Sequence, residues 1–314
     1  MDRIDFHELG DLFDDDDSPP LSKEKIESYK IEIKEKTKYE DFQKQSVLGI
    51  DVLDYSQFPE PQQIFVPKIL DKIIETALAD IDEYEHFLFQ NENLTEKIRE
   101  KFIDQGDGGF FIVSTPLHAI ILALYVESAL RQFNSYNLMS KIRSIVGPIE
   151  LRYSISFDTL YKYDAKWTGD IDKFYGPAII HCARIMSKDK LDRCLMDNNS
   201  YLWFIEKFQG IEALKLIPFS VLQKLFPTYQ LVDETAFPCQ SFSIPEDRKA
   251  KESGISSVDV LKIGEIIAKK DVLSIYSVHI QMSFIHNTNM ANEDGWKYYV
   301  ISLGNLNPEG LILK

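Results

Sequence analysis

Val47-Leu48-Gly49-Ile50-Asp51-Val52-Leu53-Asp54-Tyr55-Ser56 and Gln105-Gly106-Asp107-Gly108-Gly109-Phe110-Phe111-Ile112-Val113 are the two stretches on which the reading of this chain turns. In the first, Val47, Leu48, Ile50 and Val52 favour a buried, extended strand, and Asp51 interrupts it. A carboxylate in such a strand is costly to bury unless it is paired or bound to a cation. In the second, Gly106-Asp107-Gly108-Gly109 reads as a hairpin turn that presents Asp107 at its tip. Two carboxylates on adjacent strands, with a backbone carbonyl nearby, form a hard oxygen site. Such a site suits Mg²⁺ or Mn²⁺ carried in by a nucleoside triphosphate. Each signal also has a plain structural reading: Asp51 as a strand-end residue, Asp107 as an ordinary hairpin Asp-Gly.

Working outward, 314 residues suffice for one large domain plus a small one, or for two domains. A formal net charge of −15 and a pI near 4.9 argue against general binding to nucleic acid or anionic membrane. Nucleotide binding stays open, since it needs only a few local donors and a metal. Cys182, Cys194 and Cys239 show neither paired spacing nor a zinc pattern, which fits a reducing cytoplasm. The six histidines show no i,i+4 metal pairing. No apolar run reaches the ~18 residues of a membrane span, and no signal peptide is visible.

Residues 1–40 are acidic and polar, with four aspartates from Asp14 to Asp17 ahead of Ser18-Pro19-Pro20. The first 20 read as a solvated tail, and 22–40 as a helix or linker. Strand, helix (62–90), hairpin (101–115), helix (116–136) and strand (149–163) then follow one another. Helices are expected at 169–187, 200–208 and 211–225, with a strand at 229–234. This order predicts an α+β fold, a mixed sheet carrying helices on one face. The polar stretch 241–254 reads as a linker after a domain spanning 41–240. A small C-terminal α/β module is expected over 255–314, with a helix at 258–269 and strand-like runs at 273–284 and 296–303.

Three segments in series resemble the core motifs of class III nucleotide cyclases. They are Ile50-Asp51-Val52-Leu53-Asp54-Tyr55-Ser56, Gly106-Asp107-Gly108-Gly109-Phe110, and Tyr175-Gly176-Pro177-Ala178-Ile179-Ile180-His181-Cys182-Ala183-Arg184. The resemblance covers about residues 44–235. It implies that Asp51, Asp107 and the carbonyl of Val52 hold two divalent ions, Mn²⁺ or Mg²⁺. It also implies that Arg184 braces the α-phosphate as a cyclic nucleotide forms and pyrophosphate leaves.

Departures from the family pattern sharpen the expectation. Ile103, four positions ahead of Asp107, stands where purine cyclases carry a base-reading Lys. Lys173, eleven ahead of Arg184, stands where they carry an Asp or similar polar residue. Ile180 replaces a family Asn, unless His181 or another group substitutes for it. Metal and phosphate parts kept, base-reading parts changed: this resembles the pyrimidine cyclases of bacterial Pycsar anti-phage systems. The resemblance implies a UTP or CTP substrate, with UTP favoured on family prevalence. It further implies a cytoplasmic homodimer with shared sites and a separate effector that answers to the cyclic nucleotide. Lys173 or Tyr175 would donate to a pyrimidine carbonyl, and Tyr55 would pack on the sugar or base. The alternatives are a purine cyclase with an altered pocket and a catalytically silent nucleotide-binding regulator.

Overall fold

The computed structural model describes residues 22–36, 43–86, 88–89, 98–135, 140–164, 172–216, 254–268, 271–287 and 296–307. The first apolar run forms strand β1 (Gln43–Val52), buried from Val47 to Ile50. Its side chains alternate between two cores, as the period of two requires. Leu48, Ile50 and Val52 enter the larger one, and Val47 enters a smaller one on the opposite face.

After β1 a 3-10 turn (Tyr55–Gln57) leads through Pro59 into α2 (Glu60–Tyr84). The hairpin of β2 (Ile103–Asp104) and β3 (Gly108–Val113) comes next. Then follow α3 (Pro116–Ser135), α4 (Ser140–Val146) and the long strand β4 (Leu151–Asp164). β5 (Asp172–Tyr175), α5 (Pro177–Lys188), β6 (Cys194–Asp197), α6 (Asn198–Phe208) and a 3-10 turn (Ile211–Leu216) complete this half. The chain ends in three strands, β7 (Gly254–Ala268), β8 (Asp271–Asn287) and β9 (Trp296–Leu303). Helix α1 (Lys23–Lys36) belongs to a separate unit, residues 1–42, and is capped by the Ser22 hydroxyl, which accepts from the Lys25 amide.

The strands make one mixed sheet in the order β2-β3-β1-β4-β6-β8-β7, with β5 on β4 and β9 on β8. Among the described strands all pairings are antiparallel except β4–β6. This is the expected α+β architecture of a mixed sheet with helices packed on it. The helices lie on both faces, however, not on one. The main core takes residues from α2, α3 and α6, while Ala178, Cys182 and Met186 of α5 close the other face over Val47, Phe110 and Ile112. A central strand that is apolar on both sides needs cover on both sides.

Three other expectations are corrected. The helix expected at 169–187 is β5 followed by α5, because Pro177 opens a helix at its first turn and the strand pairs ahead of it. Lys173 and Tyr175 therefore sit on a strand. The helix expected at 258–269 is β7. An irregularity between Lys262 and Gly264 shifts its register against β8. The extra residue breaks the alternation and leaves Ile263, Ile266 and Ile267 at helix-like spacing. Strand β6 was not anticipated; its four residues are all buried and show no alternation.

Residues 255–314, expected as a small C-terminal module, supply three strands that continue the same sheet through β6–β8 pairing. Val258, Val278, Ile280, Met282, Ile301 and Leu303 enter the main core. The expected tail at 1–20, the strand at 229–234, residues 217–225 of the expected helix and the linker 241–253 lie outside the described residues.

Candidate active site

Antiparallel pairing of β1 with β3 brings the two acidic stretches together. Asp51 stands opposite Gly108, and the Val52 amide donates to the Asp107 carbonyl at 3.0 Å. Gly106 takes φ +94°, which lets the chain turn tightly. Its amide donates to Asp104 Oδ1 (2.8 Å), and the Gln105 amide closes the hairpin on the Gly108 carbonyl (2.9 Å). Gly108 is demanded by close approach: a Cβ there would run into the Ile50 carbonyl and come within 2.8 Å of Asp51 Cα.

Asp51 is half-buried and carries one ion pair among the described residues. Arg152, its register partner on β4, places Nη2 2.5 Å and Nε 2.6 Å from Asp51 Oδ2. Burial pushes the Asp51 carboxyl above the usual carboxylate range. Arg152 pulls it back, and the nearby Asp107 charge pushes it up again. Of these influences on Asp51, the Asp107 charge is the smallest. No group of three or more His, Cys, Asp or Glu among the described residues is placed to hold a metal. The donor set that the resemblance implies is two carboxylates and the Val52 carbonyl. These all-oxygen donors fit Mg²⁺ or Mn²⁺ that keeps waters and takes further ligands from phosphates.

Arg184 lies on α5. Ala178, Cys182, Ile185 and Met186 of that helix are buried, so Ile180, Arg184 and Ser187 fall on its outward side. Ile180 is 46% exposed, and the Arg184 guanidinium makes no hydrogen bond among the described residues. His181 is turned inward, with Nδ1 3.6 Å from Asp158 on β4.

Lys173 and Tyr175 are not brought to the aspartates within one chain. Tyr175 pairs with Tyr161 and Lys173 with Tyr163, whereas Asp51 pairs with Arg152. Nine or more residues of β4 separate the two places, about 30 Å at ~3.3 Å per residue. Tyr175 is half exposed. Tyr55 follows β1 closely; its hydroxyl donates to the Gln63 carbonyl (2.8 Å) and its ring packs against the main core. Ile103 packs on the smaller core and offers no donor.

Arg152 is the residue that the sequence did not reveal. Its place in the alternation Leu151-Arg152-Tyr153 puts it on the face opposite the main core, but only the strand register shows that it meets Asp51.

No protein-family model matches the chain, and no curated protein matches it. Among solved structures it is similar to the adenylyl cyclase CyaB from P. aeruginosa, at 11% identity and a TM-score of 0.43, covering 76% of this chain and 95% of that one. It is also similar to an adenylate cyclase from Trypanosoma brucei (12%, TM-score 0.40, 82% and 94%). A third likeness is to the guanylyl cyclase domain of the RhoGC fusion protein from Blastocladiella emersonii (11%, TM-score 0.38, 75% and 96%).

Proposed function

We propose that this chain is a nucleotide cyclase that converts UTP, or CTP, to its 3′,5′-cyclic nucleotide and pyrophosphate. The observation that carries the proposal is the pairing of β1 with β3, which sets Asp51 and Asp107 side by side at one end of the sheet. Asp51, Asp107 and the Val52 carbonyl would hold two divalent ions, Mg²⁺ or Mn²⁺, which neutralise the triphosphate and make the ribose 3′-hydroxyl easier to deprotonate. The protein's own share is positioning and charge. The carboxylates orient the triphosphate, and a guanidinium donates two parallel hydrogen bonds to the α-phosphate as negative charge builds there.

That guanidinium is Arg184, and it serves the site of a second copy. Within one chain Lys173 and Tyr175 lie far along β4 from Asp51, and Arg184 projects outward from α5. A two-fold dimer supplies them across the interface. Lys173 or Tyr175 then donates to a pyrimidine carbonyl, and Tyr55 packs on the sugar or base. Ile103 and Lys173 replace the groups that resemblance associates with purine reading, which supports a pyrimidine. The same resemblance implies a role in anti-phage signalling, with a separate effector that answers to the cyclic nucleotide.

The test is incubation of the full chain with each of the four nucleoside triphosphates and Mn²⁺, with products resolved by mass. Cyclic UMP or cyclic CMP is expected, lost in Asp51→Ala. Faster turnover of ATP or GTP would establish a purine cyclase. Binding of nucleotide with Mn²⁺ but no pyrophosphate release would establish a silent regulator.

A further inference from the structure

Arg152 ties three things together. It pairs with Asp51, it donates through Nη1 to the carbonyl of Asp189 at the end of α5, and it lies level with Asp51 across the β1–β4 ladder. Both of its contacts to Asp51 fall on Oδ2. Oδ1 takes no hydrogen bond among the described residues. Freedom of the carboxylate about its last torsion is thereby reduced, and one oxygen is left to coordinate. A cation is also the fitting group at the C-terminal end of α5, where unpaired carbonyls carry partial negative charge.

Arg152 is itself seated on a buried assembly. Asp189 Oδ1 accepts from Arg193 Nε at 2.7 Å, and Arg193 Nη2 lies 2.6 Å from the same oxygen. The Arg193 side chain is fully buried, and its Nη1 donates to the Asn307 carbonyl (2.8 Å), just past β9. The backbone that receives Arg152 is therefore anchored to the segment just past β9.

We propose that Arg152 is a positioning residue: it holds the Asp51 carboxylate by Oδ2 so that Oδ1 is presented to a divalent cation shared with Asp107. This rests on the metal reading of Asp51 and Asp107 and adds the residue that orients one of them. Carboxylate ligands are commonly held by such a neighbour, and its loss costs about 10–100-fold in metal affinity.

The experiment is Mn²⁺ titration of the full chain without nucleotide, with free Mn²⁺ followed by electron paramagnetic resonance. Melting curves and near-UV circular dichroism accompany each variant. Arg152→Ala is expected to weaken Mn²⁺ binding by about 10–100-fold with the fold intact, and Arg152→Lys, which keeps the charge, to recover part of it. If Arg152→Ala does not fold, Arg152→Lys alone decides, with weaker binding than wild type expected. Unchanged binding in the variant that folds overturns the proposal. So does tighter binding, which would mean that repulsion between guanidinium and Mn²⁺ outweighs the ordering of Asp51. Failure of the underlying reading looks different: wild-type Mn²⁺ binding would then be indifferent to both Asp51→Ala and Asp107→Ala, and this inference would fall with it.

Discussion

Mixing two inactive variants tests how the proposed site is assembled. Asp107→Ala removes a carboxylate from the start of β3, and Arg184→Ala removes the guanidinium from the outward side of α5. Alone, each variant is defective at both sites of its dimer; loss of one group that stabilises transition-state charge costs about 10²–10³ in kcat. In a two-fold dimer a mixed pair gathers both lesions into one site and leaves the other whole. Random exchange of equal amounts makes half the dimers mixed, each with one of its two sites intact, so about a quarter of wild-type turnover should return. A site built within one chain returns nothing, since every chain then carries a lesion in its own site. The assay is pyrophosphate release from UTP and Mn²⁺ after co-refolding or dilution-driven exchange, with mixed dimers quantified by two affinity tags. Activity no higher than the sum of the parents, in a sample where mixed dimers are demonstrated, would refute the shared arrangement and the β4 distance argument behind it.

The remaining predictions concern the supports of the site. Asp189→Ala leaves the fully buried Arg193 without its carboxylate and should destabilise the protein by about 3–5 kcal/mol, read from urea unfolding of the full chain; a loss below about 1 kcal/mol would show that the pair is not what neutralises Arg193. Gly108→Ala drives a Cβ into the Ile50 carbonyl and should cost about 1–3 kcal/mol and weaken Mn²⁺ binding, since β3 must shift away from Asp51. Asp192 is pushed up to about 6 by burial and by the neighbouring Glu127 and Glu150 charges. Its folded form holds a proton more tightly than its unfolded form, so it contributes stability below the ordinary Asp range that is lost as pH rises to about 6. Asp192→Asn, which still accepts from Asn305, should remove that fall and raise the melting temperature at pH 7.5; an unchanged pH profile of melting would contradict this.

How much of the molecule could be read in advance depends on where its information is local. β1, α3, β4 and β9 announce themselves through periodicity and caps, and the structure keeps them within a few residues of expectation. The hairpin before Asp107 is equally legible, because Gly-Asp-Gly-Gly leaves the backbone few other choices. β7 imitates a helix because an irregularity gives its apolar residues helical spacing, and β6 sends no signal because four buried residues carry no period at all. Among site residues, Asp51 and Asp107 stood out because carboxylates are conspicuous in apolar strands. Arg152 did not, because an arginine on the side of a strand away from the main core is unremarkable until its partner is known.

By itself the amino-acid order determined the residue types at hand: two acids at strand edges, a glycine hairpin, an arginine on a helix after a proline. Those follow from nearest-neighbour sterics and from the periods of helix and strand. What tertiary structure alone decided was which of them meet. Register across β1–β3 and β1–β4 put Asp107 and Arg152 beside Asp51, and the length of β4 carried Lys173 and Tyr175 away from all three. Pairing over such separations is set by the burial of whole strands on both faces, and no short window of sequence contains it.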